Sequence, residues 1–236
     1  MKSRSPALSG NSSRPTQTAK PMAIHDAPTY TAAQLEALAR EFVHANAGSP
    51  PEIPVDVEIM LERLPGVSLD IRPALQARFG VMGMVLRDVS TGDIVVYIDD
   101  KLADGPVARY RMTVAEELAH ILIHRRVLDS VTQDGDFRHL QGLAQWHQME
   151  RNAKRCAAAI LMPAEQVTAY ARRVYPRLVK AAGFGDCSAI LKYLASQLAS
   201  SFEVSVSAMA IRLSEWAMRI SDRVEGAVRA RLDYLA

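Results

Sequence analysis

The spacing of apolar residues along the chain changes from a helical period to an alternating one and back again. Residues 35–42 place apolar side chains three and four positions apart, behind Thr31, a good helix N-cap with Gln34 three positions on. A first helix is therefore predicted from Thr31, ending at the Gly-Ser-Pro-Pro run of residues 48–51. A second helix is predicted over residues 54–64, where apolar positions again repeat at helical spacing.

A small sheet is predicted next. Residues 67–71 alternate between apolar and polar, as a half-buried strand does, and residues 79–86 and 93–98 predict two further strands. The polar residues 88–92 between the last two have the composition of a hairpin turn. We therefore expect a small antiparallel sheet between the N-terminal helices and the rest of the chain.

From residue 108 onward the pattern is mostly helical. Residues 112–126 predict one strong helix, while residues 129–142 are polar, contain glycine and predict a loop. A helix from residue 144 or 146 to 161 is predicted to stop at Pro163, and several further helices follow.

Composition narrows the class of protein. With 49% apolar and 23% charged residues among 236, the chain fits an ordinary globular protein, and its net charge of +2 does not argue for nucleic acid or an anionic membrane. Residues 1–28 are rich in Ser, Pro, Thr and Asn and predict a disordered tail. No membrane span or secretory signal is visible, and the two cysteines fit a reducing compartment, so we expect a cytoplasmic protein.

Candidate chemistry lies on the helix predicted over residues 112–126. Residues four apart on a helix lie about 40° from each other, so Glu116, His120 and His124 share a face and Glu117 lies one step round. Metallopeptidases use this geometry, because ligands at i and i+4 hold the metal while the Glu at i+1 acts as general base towards water. The alternative is a solvated helix face with chance acidic residues. For His124 we favour a core or supporting role.

A catalytic zinc ion takes three protein ligands, so a third must come from elsewhere. Glu150, early in the next long helix, is the best candidate. Its alternative role is that of a surface carboxylate near a helix N-terminus, where it favours the helix dipole.

Two blocks of sequence resemble the ImmA/IrrE family of metallopeptidases. Residues 111–124, RMTVAEELAHILIH, resemble a family core of Arg, aromatic, Thr, apolar, Ala, HELGH and an apolar run closing on His. Residues 150–163, ERNAKRCAAAILMP, resemble a second block that begins with Glu and ends with an Ala-rich stretch and Leu-Leu-Met-Pro. Residues 54–58, followed by the strand at residue 67, resemble the family's approach to its sheet. The resemblance covers about residues 33–165.

The resemblance implies a zincin-like, metal-dependent endopeptidase that cleaves a helix-turn-helix transcriptional repressor in a bacterial or mobile-element response. Carried over by position, Glu117 is the general base, His120 and Glu150 are metal ligands, and Glu116 occupies the first-ligand position in place of His. Lys154 stands where the second block often has Asn. Zn²⁺ is the implied cofactor, with Mn²⁺ or Fe²⁺ more competitive at a carboxylate-rich site.

The expected fold class is α+β, a mainly helical zincin-like domain with a small antiparallel sheet, plus a helical C-terminal extension. We expect a tail over residues 1–28, the metallopeptidase domain over 29–165 and the extension over 166–236. A helix-turn-helix-like pattern occupies about residues 191–216, but its second helix has few basic side chains, so we do not expect direct DNA binding. The alternatives to an active peptidase are a catalytically degenerate interaction module and a DNA-associated regulator.

Overall fold

The computed structural model describes residues 24–181, 186–215 and 217–235. Residues 1–23 of the predicted tail and Trp216, at the end of the helix-turn-helix-like pattern, lie outside the described residues. The elements follow in chain order: α1 (Ala32–Ala47), α2 (Val57–Glu62), β1 (Val67–Arg72), α3 (Leu75–Phe79), β2 (Gly83–Arg87), β3 (Ile94–Asp99), α4 (Asp100–Ala103), α5 (Val107–Leu128), α6 (Asp134–Gln141), α7 (Trp146–Leu161), α8 (Ala164–Lys180), α9 (Cys187–Phe202), α10 (Val206–Ser214) and α11 (Ile220–Leu235).

Helix α1 begins where the sequence predicts it. Thr31 is the N-cap, and its hydroxyl oxygen accepts from the backbone N–H of Gln34 at 3.2 Å. The Gln34 side chain returns the interaction by accepting from the Thr31 N–H at 2.9 Å. This capping box satisfies two backbone donors that helix geometry leaves unpaired. The buried side of α1 packs against α7.

The fold class is confirmed as α+β, since helices dominate and three strands form one sheet in the order β1-β3-β2. The sheet is mixed. β2 runs antiparallel to β3, as predicted, but β1 runs parallel to β3, so the expectation of a wholly antiparallel sheet is wrong for that pair. In the sheet β3 lies between β1 and β2, so β1 pairs with the second edge of β3 and not with β2, its neighbour in sequence, and no hairpin sets its direction.

Two predicted segments have a different structure. Residues 75–79 form α3, which ends at Gly80 in a left-handed conformation with φ 73°, so the strand predicted from residue 79 starts only at Gly83. The predicted loop 129–142 contains α6, which buries Phe137 and Leu140. Two apolar side chains in eight residues were too sparse a pattern to predict this helix.

Helix α5 lies at the centre of the molecule, packed against α7 on one side and β2 on another. Its buried positions include Val114, Leu118 and Ile121, and one continuous hydrophobic core runs from α1 through α5 and α7 to α11. The packing of α5 against α7 matters for function, because it brings the face that carries Glu116 and His120 next to the N-terminal part of α7.

Two buried arginines attach α9 and α10 to this core. The Arg212 guanidinium, on α10, donates to both carboxylate oxygens of Glu36 at 2.7 and 2.9 Å and to the Met162 carbonyl at 2.9 Å. Arg111, on α5, donates to the Val55 carbonyl at 2.8 Å and lies 3.5 Å from a carboxylate oxygen of Glu203, in the turn between α9 and α10. Helix, short turn and helix follow one another here as predicted, with Ser205 as the N-cap of α10.

Among the described helices, none combines the length and the apolar character needed to cross a bilayer. Residues 24–30, before α1, are neither helix nor strand, yet they are attached to the domain. The Ala27 N–H donates to the Gln145 side chain at 2.7 Å, and that side chain donates to the His25 carbonyl at 3.1 Å.

Candidate metallopeptidase site

The four residues predicted to carry chemistry line one cavity of about 340 Å³. Glu116, Glu117 and His120 come from α5, and Glu150 comes from the second turn of α7. Strand β2 and the segment before it form the opposite wall. The structure therefore brings together side chains that are up to 34 positions apart in sequence, because α5 and α7 pack side by side.

His120 and Glu150 are in direct contact. Nε2 of His120 lies 3.2 Å from Oε1 of Glu150, and the His120 side chain is 9% exposed. The second carboxylate oxygen of Glu150 lies 3.7 Å from Nζ of Lys154, one helical turn further along α7. Lys154 is itself part of the cavity wall, so a cation stands within the group of acidic side chains.

A second imidazole lies behind His120. Nδ1 of His120 is 3.1 Å from Nδ1 of His124, and both rings are buried. Trp146 stacks on the other side of His120, with ring centroids 6.4 Å apart and planes 16° from parallel. His120 is therefore held by Glu150, His124 and Trp146, which leaves its ring little freedom to turn.

Glu117 packs against the main chain of β2. A Cβ added at Gly83 would lie 2.3 Å from Oε1 of Glu117 and 2.8 Å from its Cγ and Cδ, far inside van der Waals contact. Only glycine at position 83 leaves this space free. Gly83 therefore lets the candidate general base lie directly on the strand that borders the cavity.

Burial and charge shift the ionisation of all four groups. Burial raises the pKa of Glu117 to about 8, and the carboxylates of Glu150 and Glu116 add to that shift. Burial also raises the pKa of Glu116, although Lys154 opposes it. For His120 and Glu150 burial is the largest influence and disfavours charge. Their mutual hydrogen bond and the opposite charges nearby together outweigh it, so the pKa of His120 is raised and that of Glu150 is lowered.

The donor set fits a divalent cation, although three ligands are not preassembled. Within the described part of the chain, no three His, Cys, Asp or Glu side chains already surround one point. The 3.2 Å between His120 and Glu150 is nonetheless close to the roughly 3.3 Å expected for two tetrahedral ligands of one zinc ion. Ionised Glu116, Glu117 and Glu150 outweigh the two cationic side chains of the cavity wall, Lys154 and Arg109, by one negative charge, which favours binding of a cation.

Sequence reasoning did not find every residue of this site. Trp146 is half-buried and lines the cavity, and no motif in the sequence marks it as part of the site. The sequence did not mark Gly83 as a site residue, because the apolar pattern of a strand does not show that a side chain of a neighbouring helix, here Glu117, packs against it. His139 and His147, which flank the loop before Glu150 in sequence, are both described and exposed, and neither lines the cavity.

Comparison with known proteins identifies a family. The family model Peptidase_M78, described as the IrrE N-terminal-like domain, matches residues 77–214. No curated protein matches the chain. The family match confirms the resemblance to ImmA/IrrE, a family of zincin-like metallopeptidases. The matched residues include the four candidate site residues in the cavity, Glu116, Glu117, His120 and Glu150. Since it spans more than half of the sequence, the chain belongs to the Peptidase_M78 family.

Proposed function

We propose that this chain is a metal-dependent endopeptidase of the cytoplasm that cleaves a helix-turn-helix transcriptional repressor in a bacterial or mobile-element regulatory response. The observation that carries the proposal is the convergence of Glu116, Glu117, His120 and Glu150 on one cavity, beside an unpaired strand edge. The family match supports the peptidase chemistry. The repressor is the part of the proposal that follows from the resemblance to ImmA/IrrE.

Each acidic or imidazole group has a role in this proposal. Glu116, His120 and Glu150 would hold Zn²⁺, or Mn²⁺ or Fe²⁺, given two carboxylates in the set. When bound, the ion supplies Lewis acidity that polarises the scissile carbonyl. Glu117 accepts a proton from the attacking water and delivers it to the leaving amine nitrogen as the C–N bond breaks. Its contact with Gly83 keeps the carboxylate at the cavity wall.

Strand β2 supports binding of an extended peptide. The Met82 carbonyl accepts a hydrogen bond from the backbone N–H of Asp99, so every second residue from Met82 directs its backbone N–H and C=O groups towards β3. The backbone groups of Gly83 and Val85 therefore point away from β3, to the outer edge of the sheet. On that outer side the Arg87 N–H donates to Val131, but Gly83 and Val85 have no backbone partner among the described residues. Both line the cavity. A peptide can therefore add to this edge as a further strand.

A second candidate function rests on Lys154. Its ammonium group lies beside Glu150 and opposes the burial-driven rise in the pKa of Glu116, so it supplies part of the charge that an ion would otherwise bring. The alternative is therefore a catalytically degenerate module that binds its protein partner in the same cleft without cutting it. DNA binding by α10 is less well supported, because the one basic residue of that helix, Arg212, is bound inside the protein.

Metal analysis separates the two candidates. We expect the purified protein to contain about one divalent ion per chain, Glu150→Ala to lose it, and Glu116→His to retain it. The control is Glu225→Gln, at an exposed glutamate of α11 that pairs with Arg229. Absence of metal in the wild-type protein would overturn the peptidase proposal.

Co-expression tests the substrate. We expect the repressor encoded beside this gene to be cut into two fragments by the wild-type chain and to stay intact with Glu117→Gln. Co-purification of an intact repressor with the metal-free wild type would instead establish the interaction module.

A further inference from the structure

The imidazole of His124 faces Nδ1 of His120, which is its one hydrogen-bonding neighbour within the described part of the chain. The two Nδ1 atoms lie 3.1 Å apart, and the ring centroids are 5.1 Å apart. Nε2 of His124 is buried and has no hydrogen-bond partner among the described residues. The backbone of α5 also departs from helical geometry at this residue, with φ −124° and ψ 19°. A buried polar atom without a partner destabilises the folded state.

The hydrogen bond between His120 and His124 is unusual because its second partner is an imidazole, which can either donate or accept. A histidine that ligates metal usually donates its other N–H to a carboxylate or a carbonyl, and both of these groups only accept. A neutral imidazole can donate or accept at the same nitrogen, depending on where its proton sits. His124 can therefore stay bonded to His120 whichever nitrogen of His120 carries the proton.

We infer that His124 is a positioning residue whose hydrogen bond follows the tautomer of His120 and frees Nε2 of His120 to act as a ligand. This inference rests on the proposed metal site. When both rings are neutral and no ion is bound, the contact with Glu150 requires the His120 proton on Nε2, so Nδ1 of His120 accepts from the Nδ1–H of His124. With Nε2 of His120 free of its proton, Nδ1 carries the proton and donates to His124, whose own proton is then on Nε2.

Protons balance between the two arrangements. One proton crosses the 3.1 Å between the two Nδ1 atoms, and one is relocated from Nε2 of His120 to Nε2 of His124. The pair holds two protons before and after. In the second arrangement the relocated proton lies on Nε2 of His124, the buried atom that has no hydrogen-bond partner among the described residues.

Two substitutions of His124 distinguish this role from simple packing. His124→Phe keeps a planar ring and removes the hydrogen bond, whereas His124→Asn keeps a group that can present either a donor or an acceptor. We expect His124→Phe to weaken Zn²⁺ binding about 10–100-fold in a chelator competition and His124→Asn to remain within a few-fold of wild type. His139→Phe, at an exposed histidine outside the cavity, is the matched control.

Nitrogen-15 NMR of the imidazoles gives a readout in the metal-free protein. At a pH where both rings are neutral, we expect the proton of His120 on Nε2, with Nδ1 accepting a hydrogen bond that disappears in His124→Phe. Zn²⁺ should move the His120 proton to Nδ1. Failure of the wild type to bind Zn²⁺, with the Nδ1 bond intact, would count against the metal site and not against the pairing.

Three results would overturn the inference. The first is a Zn²⁺ affinity in His124→Phe equal to that of the wild type. The second is an equal loss of Zn²⁺ affinity in His124→Asn and His124→Phe at unchanged thermal stability. The third is a metal-free His120 whose Nδ1 resonance is the same in the wild type and in His124→Phe.

Discussion

Replacing Gly83 with alanine tests whether the position of Glu117 matters for activity. The added Cβ would lie 2.3 Å from Oε1 of Glu117, whereas nonbonded atoms pack at about 3.5 Å. The carboxylate must therefore retreat by about 1 Å, and a displacement of about 1 Å at a reacting group can cost about 100-fold in rate. This loss corresponds to about 2.7 kcal/mol of transition-state stabilisation.

The same substitution should leave the fold nearly unchanged. Gly83 lies in a strand and is not among the glycines with positive φ, so alanine fits its backbone. Alanine at such a position stabilises by about 0.5–1 kcal/mol, which offsets part of the cost of moving Glu117. We expect the free energy of unfolding in urea to change by less than about 1 kcal/mol.

The assay is a double-mutant cycle on the rate of substrate cleavage. Gly83→Ala should lower the rate about 100-fold alone and produce no further loss in a Glu117→Gln background, because the two changes act on one group. Gly226→Ala is the control, since a Cβ added there meets nothing within 4 Å. A Gly83→Ala protein that cleaves at the wild-type rate would refute the argument, as would fully additive losses.

Three further predictions concern the rest of the fold. Burial raises the pKa of Cys156 to about 12, so we expect Ellman's reagent to react with Cys187 alone in the native protein. Both thiols should react after unfolding, and two reactive thiols in the native protein would contradict this prediction. Arg212→Met should lower the free energy of unfolding in urea by about 3 kcal/mol, because it leaves Glu36 without its bidentate partner; a change below 1 kcal/mol would show that the pair contributes little. Thr31→Ala should cost about 1 kcal/mol in the same assay through loss of the helix cap, while Thr31→Ser should cost almost nothing.

The parts of the site that depend on local spacing were predictable from sequence. Glu116 and His120 lie four residues apart on a strongly patterned helix, so their common face follows from helix geometry alone. Helix α7 was predicted because Pro163 and an apolar periodicity mark its end and its buried face. The contact between His120 and Glu150 required the family resemblance, because no local rule says which side of α7 faces α5.

The parts that depend on close packing between elements were not predictable. The contact of Gly83 with Glu117 joins residues 34 positions apart and depends on how closely β2 approaches α5. The parallel pairing of β1 with β3 depends on which edge of β3 is free when the chain folds. Trp146 begins a helix in sequence, and its stacking on His120 exists only because α7 packs beside α5.

The stacking of Trp146 on His120 also has an optical consequence. Indole emission responds to the charge of nearby groups, and the imidazole plane lies 16° from that of the indole, with the centroids 6.4 Å apart. The chain contains two tryptophans, so a Trp216→Phe protein would emit from Trp146 alone. Such a protein carries a built-in fluorescent reporter of its own cavity, whose intensity follows any ion, proton or peptide that reaches His120.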